Sequence, residues 1–363
     1  MRDRLLVGTR KGFFVFVRGG AGKWEQKSSA FVGDPVTMVL PDLREDSRED
    51  SRDDAIYAAL DLGHFGPKLH RSQDDGASWT EVGVPEYPKN SDKALKIIWC
   101  LESAGKDRPG ALWAGTVPGG LFRSDDRGES WKLDVALWEK PERKNWFGGG
   151  YDDPGIHSIC VDPNNSRRIV LGVSCGGVWI TEDEGESWTC STDGMYAEYM
   201  PPERREDGSI QDPHRIVQCP AATDIFWAQH HNGVFRSTNQ GVSWQELHPP
   251  QSKFGFAAVV HPQDAKTAWL VPLVKDECRV PVDGKVVVAR TRDGGVSFEI
   301  LRNGLPQENA YDVVFRHGLD IDASGDVLAM GSTTGSLWLT EDQGDSWRTL
   351  SKHLPPIYCL RFG

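Results

Sequence analysis

The stretch SQDDGASW, Ser72 to Trp79, is one of six versions of a single phrase in this chain of 363 residues. The others are SDDRGESW at Ser124–Trp131, TEDEGESW at Thr181–Trp188, STNQGVSW at Ser237–Trp244, TRDGGVSF at Thr291–Phe298 and TEDQGDSW at Thr340–Trp347. Their starts are separated by 52, 57, 56, 54 and 49 residues, a spacing that marks a repeat architecture. The shared pattern, S/T-x-D-x-G-x-S-W, describes a tight turn. The hydroxyl and the carboxylate of Asp74, Asp126, Asp183, Asp293 or Asp342 accept backbone N–H groups, glycine takes φ > 0, and the aromatic anchors the next strand. Asn239 replaces the aspartate once, keeping an amide oxygen as acceptor.

Outward from each box the same order recurs. An apolar run (AIYAAL, ALWAGT, RIVLGV, DIFWAQ, TAWLVP, VLAMGS) precedes it by about twenty residues, with a glycine-bearing loop and a second strand such as GGLFRS or GSLWLT in between. A strand starts at the box aromatic. After a longer connection comes a further apolar run: IIWCLE, IHSICV, HRIVQC, FAAVVH or YDVVFR. Four strands per unit predict a propeller blade. The N-terminus, LLVGTRKGFFVF followed by Trp24, is a seventh unit without box or first strand, and IYCLRF at Ile357–Phe362 is a spare first strand. The expected fold is therefore all-β: a seven-bladed β-propeller spanning 1–363 as one domain, its ring closed by pairing the C-terminal strand with the N-terminal strands, which removes open edges.

Composition agrees. The 39 Gly, 22 Pro and 14 Trp fit a turn-rich β protein rather than a helical one. With 41 basic against 53 acidic residues the net charge is −12, which argues against nucleic acid as partner, and no apolar run approaches membrane-span length. Seven scattered cysteines without a C-x-x-C pair, four of them in apolar runs, and no signal-peptide core lead to the expectation of a cytoplasmic protein with free thiols.

The box pattern resembles the BNR or Asp-box repeat, shared by sialidases, sortilin-type receptors and photosystem II assembly factors. Over nearly the whole chain the sequence is most similar to bacterial BNR-like proteins labelled glycosyl hydrolase or exo-alpha-sialidase-like. That resemblance implies a propeller and, for a true sialidase, an arginine triad, a Tyr–Glu pair and an R-I-P motif before the first box. The segment before Ser72 lacks that motif, and the nearest match, Arg279–Pro281, falls in another blade, so the triad has no assignment here.

Three segments direct the search for a site. Arg44–Asp54 is a mixed-charge run, expected as a solvated loop. The connections 132–155 and 189–213 are expected as long rim loops on the face opposite the boxes, around the channel mouth. Histidines gather there: His64, His157, His214, His230 and His231, with Tyr151, Asp152, Asp153 and Asp212 nearby. His157, His214, His231, Asp152 and Tyr311 are the candidate catalytic residues, and His157, His214 and His231 the candidate ligands of a divalent metal, the only cofactor suggested. The structural alternative is that each imidazole bonds the loop backbone.

His64, His230, Asp61, Glu277 and Arg279 are candidate ligand-binding residues, with Arg279 as the clamp for an anionic group. Lys275, Asp276, Glu308 and Asp312 lie beside them, and Cys278 is read as structural. The Gly148–Gly150 run lacks the strand-to-helix setting of a phosphate loop and is expected as a close turn at the rim. Two functions stay open: a glycosyl-hydrolase-like enzyme acting on a small polar or sugar-derived ligand at the channel mouth, or a non-catalytic propeller that binds a protein or other ligand.

Overall fold

Seven four-stranded antiparallel sheets surround a common axis in the computed structural model, which describes residues 3–43 and 54–363. The charged run expected at 44–54 lies, but for Asp54, outside the described residues. The innermost strands of blades two to seven are Val36–Asp42, Ile97–Ser103, Gly155–Asp162, Pro213–Cys219, Phe254–Val260 and Leu319–Ile321. In blade one the innermost strand is Ile357–Phe362. It pairs antiparallel with Arg4–Thr9 from Leu5↔Phe362 to Thr9↔Ile357, closing the ring as the sequence suggests.

The inner runs are apolar on both faces because each sheet is covered by a neighbour on either side. Every residue of Phe254–Val260 and of Ala55–Leu60 is buried. Outer strands are covered less, and Trp24–Ala30 buries only its first residue. Tryptophan fills the gaps between sheets. Trp113, Trp179, Trp188, Trp227, Trp269 and Trp338 are among the largest fully buried side chains.

The boxes join the third and fourth strands of blades two to seven and share one geometry. The Ser or Thr hydroxyl donates to the acid or amide oxygen two residues on, at 2.6–2.9 Å. The same oxygen of the hydroxyl accepts the glycine N–H at 2.8–3.0 Å. The Asp or Asn oxygen in turn accepts the N–H of the following serine at 2.8–3.0 Å. At Asn239 one bond reverses, and the amide Nδ2 donates to Ser243 Oγ at 2.9 Å where a carboxylate would accept. The sequence pattern identifies only one left-handed residue per box, but the turn uses two in succession, as at Asp75 (φ 59) and Gly76 (φ 86).

Box tryptophans also tie blades together. Trp131 Nε1 donates to Gly83 O at 2.9 Å, Trp188 Nε1 to Asp134 Oδ1 at 3.1 Å, and Trp244 Nε1 to Ser191 O at 3.1 Å, each acceptor following the last strand of the preceding blade. Gly304 serves this junction between blades six and seven. Its φ is 82, and a β-carbon there would stand 1.8 Å from Trp347 O, so only glycine admits the approach.

Two expectations need correction. The run YDVVFR, 311–316, is not the innermost strand of blade seven, which is Leu319–Ile321. The buried Asp312 accepts Ser332 Oγ at 2.7 Å and also the Thr334 hydroxyl, and Thr333 N–H donates to Val313 O at 2.9 Å. These contacts tie Asp312 and Val313 to the loop at 332–334. The connections 132–155 and 189–213 are not wholly loop: their ends belong to strands, and they contain a helical turn at Val135–Trp138 and 3-10 segments at Pro141–Asn145, Pro202–Arg204 and Gly208–Ile210. Asp134 caps the first, its Oδ1 accepting Leu137 N–H at 2.8 Å. Among the described residues no helix is long and apolar enough to cross a membrane.

Candidate functional site

Since the boxes occupy one end of the blades, the starts of the inner strands and the links between second and third strands converge at the other. A cavity of about 860 Å³ opens there. Its lining comes from five blades and one long connection: Arg10, Thr37, Asp61 to Gly63, Trp99, Phe256, Phe315, Tyr358 and the tip residues Gly150 and Tyr151 contribute. Phe65, Trp99, Tyr151, Phe256, Phe315 and Tyr358 give the wall an aromatic character. Asp34 and Asp61 are the carboxylates of the lining, and Arg10, Arg279 and Arg316 its cations.

Arg316 is the unusual member. Its side chain stacks over Trp99 at 4.7 Å and Phe256 at 5.3 Å, and the residue is only 6% exposed. Among the described residues no carboxylate lies within ion-pairing distance, and its buried Nε has no hydrogen-bond partner. Burial lowers the pKa of this guanidinium, which still carries its charge at neutral pH. Arg279, the expected clamp, also borders the cavity, but its charge is met by Asp276 at 2.5 Å.

Behind the Phe256 wall is a second group. Asp212 Oδ2 faces His214 Nε2 at 3.2 Å and His231 Nδ1 at 3.4 Å, while Oδ1 accepts Ser174 Oγ at 3.0 Å and Cys175 N–H at 3.1 Å. His214 stacks on Phe256, ring centroids 4.6 Å apart, and its Nδ1 donates to Gly255 O at 2.6 Å. His230 Nε2 accepts the Asp212 N–H at 3.1 Å. Burial opposes charge on Asp212, but His214, His231 and Arg316 outweigh it and hold the carboxyl well below its usual range. Burial pushes His214 and His230 down, His230 to about 3. The Gly148–Gly150 run spans the two regions: a β-carbon on Gly149 would lie 2.7 Å from Cys175 Sγ and 3.4 Å from Asp212 Oδ2, and one on Gly150 3.8 Å from Trp99.

The candidates from sequence are thus sorted. His214, His230 and His231 meet around Asp212. His157 does not join them; fully buried, it contacts Pro213 O at 2.7 Å through Nε2 and Ser158 Oγ at 3.0 Å through Nδ1. Asp152 is exposed and Tyr311 is 67% exposed, neither lining the cavity. Asp153 pairs with Lys96 at 2.6 Å. His64 lies outside the lining, its ring against Phe65. Glu277 pairs with Lys275 at 3.5 Å at the surface, Cys278 is exposed, and Asp61 lines the cavity. Sequence reasoning missed Arg316, Trp99, Phe256, Arg10, Asp34 and Tyr358. Arg316 left a trace, as a lone charge ending the apolar run VVF.

Fold and site define a seven-bladed propeller with an aromatic, cationic cavity at one end of its channel. No family model matches the chain. The oligoxyloglucan-reducing end-specific xyloglucanase of Emericella nidulans is 27% identical over 324 residues, covering 80% of this chain and 37% of the relative. Xyloglucanase Xgh74A of Acetivibrio thermocellus is 26% identical over 149 residues, 37% of this chain and 17% of that protein. The solved GH74 xyloglucanase of Xanthomonas campestris superimposes with a TM-score of 0.63 at 17% identity, over 96% of this chain and 52% of its own. The chain therefore spans well under half the length of these two curated relatives.

Proposed function

We propose that the channel mouth binds a sugar-derived ligand carrying an acidic group, and that the protein is a glycosidase-like hydrolase acting there. One observation carries the reading: Arg316 holds a buried positive charge, with no carboxylate in ion-pairing distance, against a roughly 860 Å³ cavity with aromatic walls. A buried charge without a partner is costly, and a ligand carboxylate offsets that cost with a bidentate hydrogen bond. Asp34 and Asp61 are the carboxylates of the lining, and we assign them the general acid and base roles on a glycosidic bond. The xyloglucanase relatives and the resemblance of the boxes to BNR repeats support the hydrolase class; the acidic ligand is inferred from the cavity alone.

The test pairs calorimetric binding with release of reducing ends, using xyloglucan oligosaccharides and oligosaccharides containing uronic acid. Acidic oligosaccharides are expected to bind and to be cleaved, with Arg316→Met weakening both about 100-fold. Failure of every sugar to bind, or binding indifferent to Arg316→Met, overturns the reading. Binding without cleavage places the protein in the non-catalytic class.

A further inference from the structure

Three side chains outside the cavity raise a separate question of charge balance. His214 Nδ1 lies 2.6 Å from Gly255 O, and a carbonyl can only accept, so the ring proton sits on Nδ1. In a neutral ring Nε2 is then a lone pair, and it points at Asp212 Oδ2 from 3.2 Å. Two acceptors face each other in a buried site. His231 Nδ1 approaches the same oxygen at 3.4 Å, so the three atoms converge on one point that calls for a cation.

We propose that Asp212, His214 and His231 form a binding site for a divalent transition-metal ion of the zinc type. The ligand atoms all lie within 4.8 Å of one another. A tetrahedral ion with bonds of about 2.1 Å separates its ligands by about 3.4 Å, close to the two O–N distances here. Two imidazoles and one carboxylate suit a first-row divalent ion better than calcium or magnesium, which take oxygen ligands.

The surroundings are those of a ligand set held in place. Gly255 O fixes the His214 tautomer, and Ser174 Oγ with Cys175 N–H fixes the Asp212 carboxylate through its other oxygen. The His231 side chain, 19% exposed, is where the site meets solvent. The ion links Asp212, at the end of the long connection from blade four, to the link between the second and third strands of blade five. This site contains Asp212 where the sequence reading had His157, and it is independent of whether the cavity binds sugar.

The test uses the full chain, stripped with chelator and dialysed, then titrated calorimetrically with Zn²⁺ and spectroscopically with Co²⁺. One equivalent of Zn²⁺ is expected to bind, Co²⁺ to give the visible absorption of a tetrahedral site, and the melting temperature to rise with metal concentration. His231→Ala, at the exposed ligand, is expected to weaken binding roughly 100-fold while the far-UV circular dichroism stays unchanged. Asp212→Asn is expected to weaken it likewise, and His248→Ala, an exposed histidine outside the cluster, to leave it unaltered. The proposal is overturned if the folded wild type binds Zn²⁺ no more tightly than His231→Ala, in which case a proton alone bridges His214 and Asp212.

Discussion

The box turns and the channel mouth lie at opposite ends of the same blades and follow opposite rules. Six boxes repeat one hydrogen-bond pattern with distances agreeing to within 0.3 Å, and Asn239 preserves it by reversing a donor. At the mouth no two blades contribute alike: blade two offers Asp61 and Phe65, blade three Trp99, blade six Phe256 and Arg279. The hydroxyl and carboxylate or amide groups of the boxes satisfy one another, whereas Arg316 has no carboxylate in ion-pairing distance. One end spends its side chains on holding the ring, and the other keeps charge and aromatic surface available for something else. Repetition therefore identifies scaffold, and departure from it identifies site.

Four changes test that division. Gly304→Ala attacks the scaffold where a left-handed glycine meets Trp347 O, and we expect a loss of about 4 kcal/mol in urea unfolding, strain and clash combined, with ligand affinity of the remaining folded protein unchanged. Arg316→Met attacks the site. Acidic-oligosaccharide affinity should fall about 100-fold, roughly 2.7 kcal/mol, while the melting temperature holds or rises because an unpaired buried charge is removed. A drop in stability with Arg316→Met would blur the two ends into one.

His157→Ala sharpens the boundary, since this residue sits near the site but bonds only to Pro213 O and Ser158 Oγ. It should cost about 2 kcal/mol of stability and leave sugar and zinc binding intact. The smallest effect concerns acid. Hydrogen bonds from Ser78, Ser187 and Ser297 hold Asp74, Asp183 and Asp293 down to about 2, below the 3.8 of an ordinary aspartate. Each contributes stability that is present above pH 3.8 and is lost as pH falls through 3.8 toward 2. Asp293→Asn, copying the natural box at Asn239, should lessen the decline of the urea midpoint between pH 4 and pH 2, and a slope equal to wild type would count against the account.

How much was legible follows the same division. Box spacing and the stray strand Ile357–Phe362 specify blade count and ring closure, because both are local patterns with one geometric solution. The strand at 311–316 misled because apolarity marks burial, not ladder pairing; Asp312, bonded to the loop at 332–334, decides that segment. Histidine clustering anticipated that His214 and His231 would lie together, but nothing in the chain reveals that His157, two residues past Gly155, directs its ring to a neighbouring carbonyl. Arg316 and Trp99, 217 residues apart in sequence, meet only because blades three and seven converge on the mouth.

The closure of blade one also determines how the ring meets mechanical force. The first strand leaves its sheet at Arg4, and the last ends at Phe362, which pairs with Leu5, so both chain ends emerge from the same end of one ladder. Tension between them loads the Leu5–Phe362 pair first and then each pair in turn to Thr9–Ile357, like opening a zip, rather than shearing all of them together. A pull at these two ends would therefore open blade one before any box turn is strained.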